Sequence, residues 1–120
     1  MRQNFDPLLY LSLARELAGQ GATEVKYRTA TGHAYYALFL IARAKSNVTG
    51  TEDVHKRVGA AVSNKAGYSI TGSQLRTLHR LRIEAGYYPA ASDPSLEDWA
   101  RNWKDAEHLV DAILPKLQAW

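Results

Sequence analysis

The chain has 120 residues, 46% of them hydrophobic and 22% charged, with no cysteine. This suits one globular domain over 1–120 and excludes a disulfide framework, thiolate metal sites and a cysteine nucleophile. The net charge of +3 is unevenly spread: residues 54–86 hold six basic residues and one acid, residues 87–120 three basic residues and six acids. A basic middle suits phosphates, or it neutralises the acidic tail.

Asp6-Pro7 reads as a helix start, an acid cap followed by proline at the first helical position. Leu8, Leu11, Ala14 and Leu17 recur at helical spacing, and Gly19-Gln20-Gly21 ends the segment. Thr23 caps a second helix running to about Lys45, followed by a loop over Ser46–Thr51. A shorter helix is predicted from Asp53 to about Asn64, then a loop over Lys65–Gly72, with Gly67 and Gly72 as breakers. A fourth helix is predicted over Ser73–Ala85, with Leu75, Leu78, Leu81 and Ala85 inward. Gly86–Pro94 reads as turns. Ser95 opens the last helix, with Glu97 and Asp98 in its first turn. Trp99, Trp103, Ala106, Val110, Ile113 and Leu117 form its stripe, and Pro115 is expected to kink its end.

No strand pattern and no repeat is present. Helices with short connections predict an all-α, up-and-down bundle of four to five helices. The polar start, Met1 to Pro7, resembles no signal peptide, and the longest apolar run, Ala34–Ala42, falls short of the ~20 residues of a membrane span. The expectation is a cytoplasmic protein with no membrane association. The run Ala34–Ala42 covers every side of its helix. That helix therefore runs through the middle of the bundle, meets a second copy, or does both, which predicts a homodimer through the second helix.

Candidate chemistry starts on that helix. Arg28, His33 and Tyr35 form an Arg-x4-His-x-Tyr string. RNA cleavage without metal needs a base for the ribose 2′-hydroxyl and a cation for the phosphate, tasks that histidine and arginine suit. Five helical residues turn the chain so that Arg28 and His33 point roughly 140° apart. One groove can then use both only with help from a symmetry-related chain. The competing reading is an exposed arginine and a packed histidine. Arg76, His79 and Arg80 share a helix face. With His55, Lys56, Arg57 and Arg82 they form a possible RNA- or nucleotide-binding margin, or a merely solvated basic face. The four histidines stand 22, 24 and 29 residues apart without local acids, so no metal and no cofactor is expected. Tyr87-Tyr88 and the pair Trp99/Trp103 are base-stacking candidates, with core packing the simpler role.

The string Thr31-Gly32-His33-Ala34-Tyr35-Tyr36-Ala37-Leu38-Phe39 resembles the hallmark helix of HEPN domains. Val54-His55-Lys56-Arg57-Val58 resembles the histidine segment that follows it there. Leu78-His79-Arg80-Leu81-Arg82-Ile83-Glu84-Ala85-Gly86-Tyr87 resembles the family's Leu-x-x-Leu-Arg-x-x-Ala-Asp-Tyr element. The resemblance spans nearly the whole chain in order and implies a HEPN-like bundle. It also implies a metal-independent endoribonuclease acting as a dimer, with Arg28, His33 and Tyr35 as its site. A toxin paired with a nucleotidyltransferase antitoxin that modifies Tyr35 with AMP is implied as well. The alternatives are a non-catalytic nucleotide-binding or scaffold partner of a small nucleotidyltransferase, and a helical interaction protein. Two positions depart from the pattern: Thr29 follows the motif arginine, and Gly86 stands where the family has aspartate.

Overall fold

The computed structural model describes residues 6–87 and 95–120. It is an all-α bundle: α1 (Leu8–Leu17), α2 (Glu24–Ser46), α3 (Val54–Asn64), α4 (Ser69–Tyr87) and α5 (Leu96–Ala119). No helix among the described residues is long and apolar enough to cross a membrane.

Local chemistry sets the helix ends. The Asp6 carboxylate accepts from the Leu8 N–H at 2.9 Å and starts α1. The Thr23 hydroxyl accepts from Lys26 N–H at the head of α2, and Asn47 closes that helix in the left-handed region at φ 58°. Ser95 and Asp98 form a reciprocal capping box on α5. That helix continues through Pro115 to Ala119.

Both ends of the fourth helix differ from the sequence reading. α4 begins at Ser69, four residues before the predicted start, so Gly72 lies inside the helix. Of the two glycines taken as breakers only Gly67 has a positive φ, 83°. Gly72 serves close approach instead: a Cβ there would collide with the Ser63 hydroxyl and lie 2.7 Å from the Cα and N of Ser63. The helix also extends past Ala85 to Tyr87. The rest of the predicted turn segment lies outside the described residues, as do Tyr88 and the Met1–Phe5 start.

α2 packs against each of the other four helices. Ala30, Ala34, Ala37, Leu38, Phe39 and Ala42 are buried within it, the alanines letting its neighbours approach closely. The apolar run 34–42 is thus largely buried within one chain. Trp99 and Trp103 are 2% and 5% exposed, so they are core residues and no base reaches them.

Candidate functional site

The three residues of the Arg-x4-His-x-Tyr string face different neighbours. Arg28 donates from Nε to the Ala85 carbonyl at 2.6 Å and from Nη1 to Glu24 at 2.9 Å, and its guanidinium lies 4.6 Å from the Trp99 ring centroid. It holds α2, α4 and α5 together. His33 sits on the α1 side, 5.4 Å from the Tyr10 ring. Tyr35 is 2% exposed. It points to α3 and α4.

That direction leads to a site assembled from residues far apart in sequence. The Tyr35 hydroxyl and His55 Nδ1 are 2.7 Å apart. The His55 and His79 rings stack at 4.8 Å, within 10° of parallel. The Tyr35 ring stacks on His79 at 4.7 Å, and the Phe39 ring on His55 at 4.2 Å. Tyr35 and Phe39, one helical turn apart on α2, present both rings to one place. The histidines line a cleft of about 220 Å³ together with Tyr35, Lys56, Gly59, Leu75 and Arg76. Gly59 matters here: the Arg76 stem and Nε pass 3.4–3.5 Å from where a Cβ would stand, so a bare backbone lets the arginine lie across α3.

The other basic candidates divide. Arg57 donates to the Glu52 and Thr49 carbonyls and secures the loop before α3. Arg80 lies 4.0 Å from Glu84 and is exposed. Arg82 is exposed and makes no ion pair or side-chain hydrogen bond among the described residues, while its charge bears on Tyr35, His55 and His79. Glu84 is turned to Arg80, and no carboxylate among the described residues pairs with Arg82.

The field has consequences. Burial pushes the Tyr35 phenol up, out of reach of neutral pH, so it stays protonated. Burial holds His55 below the ordinary 6.5, helped by Arg82 and Arg43. Burial also lowers His79, helped by His55 and Arg82. Among the described residues no group of three or more His, Cys, Asp or Glu is placed to hold a metal ion.

No family model matches this chain, and neither does any curated protein or solved structure.

The lowered histidines also set the acid stability. The unfolded chain takes up protons near pH 6.5, while the folded protein does so only at lower pH. Stability is therefore full above about 6.5 and falls as pH drops through and below that value. Urea unfolding at pH 7.5 and 5.0 should show this loss, and His79→Gln should flatten it. An equal loss in wild type and variant would place the acid sensitivity elsewhere.

Proposed function

We propose that this protein is a metal-independent endoribonuclease of HEPN type whose acid–base pair is His55 and His79. The observation that carries this reading is the pair of stacked imidazoles in one cleft with Lys56 and Arg76. Two stacked imidazoles resist carrying two charges, so over a range of pH the pair holds one proton between them. One neutral ring and one protonated ring are what cleavage needs. Neutral His79 takes the proton of the ribose 2′-hydroxyl, and the 2′-oxygen attacks the adjacent phosphorus. The bond from phosphorus to the 5′-oxygen breaks, and protonated His55 gives its proton to that leaving oxygen. The products are a 2′,3′-cyclic phosphate and a 5′-hydroxyl end. Lys56 and Arg76 offset the charge that builds on the phosphate, and Arg82 adds its positive field from outside the cleft. Tyr35 is a positioning residue: its hydroxyl, still protonated, accepts from Nδ1–H of the imidazolium and leaves Nε2 for substrate.

The sequence resemblance and the all-helical bundle support the HEPN class. Each of these groups comes from one chain, so the chemistry does not call on a homodimer through α2. A toxin role follows if the cleavage is unrestrained in the cell.

A second reading is a nucleotide-binding partner of a small nucleotidyltransferase. It is favoured by a separate cleft of about 380 Å³ lined by Val25, Arg28, Thr29, Gly32, Arg82, Ala85 and Gly86, where two guanidinium groups border an apolar floor. The test is cleavage of a mixed RNA pool in excess chelator by wild type, His79→Ala and His33→Ala. Cleavage lost in His79→Ala and kept in His33→Ala supports the proposed site. Loss only in His33→Ala returns the chemistry to the Arg-x4-His string. No cleavage by wild type, with a mononucleotide protecting the protein against heat, supports the second reading.

A further inference from the structure

The ribonuclease reading leaves His33 and an exposed tyrosine of the same helix without a task. Tyr36 lies within the run of α2 whose other members are buried or partly buried, yet it is 40% exposed. It is the one aromatic side chain among the exposed large hydrophobic residues described. Its ring is backed edge-on by Tyr10 at 5.2 Å, and Tyr10 is in turn 5.4 Å from His33. Neither the Tyr36 hydroxyl nor the His33 ring makes a hydrogen bond among the described residues. The fold therefore holds three rings together at the surface between α1 and α2 and leaves two polar edges of this group unused.

This group connects to the histidine cleft. The Tyr36 ring is near-parallel to Phe39, 22° apart, at 6.2 Å, and Phe39 stacks on His55. Two ring-to-ring steps, through the buried Phe39, separate the exposed tyrosine from the imidazole pair. The two groups are thus close in space, no farther apart than the two ring separations together. Single-stranded RNA is commonly held this way, with cations on the backbone and aromatic faces under the bases.

We propose that Tyr36, backed by Tyr10 and flanked by His33, is a stacking platform for the nucleobase adjacent to the phosphate held between His55 and His79. This rests on the proposed site. The occupant is single-stranded RNA rather than a second copy of the chain, because the platform lies two ring contacts from a cleft lined by Lys56 and Arg76, with Arg82 exposed and without an ion pair among the described residues. Basic residues in a cleft near an exposed ring suit a polyanion with aromatic bases. A second copy would bring the same positive charges against themselves.

The test measures the affinity of a short single-stranded oligonucleotide, made non-cleavable by a 2′-deoxy residue at the reactive position, by fluorescence anisotropy. Wild type, Tyr36→Ala, Tyr36→Trp and Arg82→Gln are compared, with sedimentation run alongside. Tyr36→Ala should weaken binding about 5- to 100-fold, the range for losing one base–aromatic stack, and Tyr36→Trp should retain it. Removing single bases from the oligonucleotide should reveal one abasic position that weakens wild type equally and Tyr36→Ala no further, the signature of one shared contact. Equal affinity of wild type and Tyr36→Ala, with Arg82→Gln weakened, overturns the platform and leaves the histidine site standing. A wild-type dimer that Tyr36→Ala converts to monomer overturns it in favour of a face between copies. No RNA binding by wild type overturns both the platform and the ribonuclease reading.

Discussion

Gly72→Ala should destabilise the protein by about 3 kcal/mol or more and lower the Tm by about 10 °C. In an exposed helix the same change would stabilise by up to about 1 kcal/mol, since alanine is the better helix former. Here the crossing of α3 and α4 decides the sign. The new Cβ would stand 2.7 Å from two backbone atoms of Ser63 as well as on its hydroxyl. A hydroxyl can turn away; a helix backbone moves only with its neighbours. For that reason Ser63→Gly in the same chain should restore little. Gly86 in the same helix provides the control, because a Cβ there meets nothing within 4 Å, and Gly86→Ala should leave the Tm equal or higher. Thermal unfolding followed by circular dichroism checks both. A Gly72→Ala protein as stable as wild type would mean that α3 and α4 do not cross this closely.

The second large effect concerns activity. His55→Ala and His79→Ala should each lower kcat by 10²- to 10⁴-fold, the range for losing a general acid or base. The double variant should be little worse than the poorer single, because the two act as one unit. The rate should follow a bell in pH. The active form is the pair with a single proton, and both imidazoles are held below 6.5, so the maximum should fall on the acid side of that value. That is also the range in which the fold begins to lose stability, so rate and unfolding must be measured on the same samples. A rate that rises steadily to pH 8 would exclude the pair as acid and base.

Much of the fold was legible from caps and periodicity. Asp6, Thr23 and Ser95 start their helices as their side-chain chemistry predicts, and the stripe from Trp99 to Leu117 is buried as its spacing requires. The head of α4 was misread because glycine has two uses that sequence does not separate. Gly67 supplies a positive φ and Gly72 supplies absence of bulk. The basic margin was half legible. His55, Lys56, Arg76 and His79 do share a cleft, but nothing local foretells that two histidines 24 residues apart will stack. Their meeting depends on the register of α3 against α4. Tyr35 and Phe39 offered a clue, since aromatic residues at i and i+4 on one helix aim at one place. Glu24 and Arg28 offered another. An acid four residues before an arginine often occupies it, and here it helps to hold that arginine within the fold.

The position of α2 among its neighbours governs how the molecule opens. An amide of α2 exchanges with solvent only when four surrounding helices let go, so its protection should report global unfolding. α1 packs its backbone closely against α2 alone, reaches α5 only through the exposed ion pairs of Arg15 with Glu107 and Asp111, and buries only Leu11 and Ala14. Hydrogen exchange should therefore find α1 unprotected first, peeling away while the other four helices remain folded. Tyr10 travels with α1, so each such excursion removes the support behind Tyr36. The histidine pair, built from α3 and α4 against the core helix, stays assembled throughout.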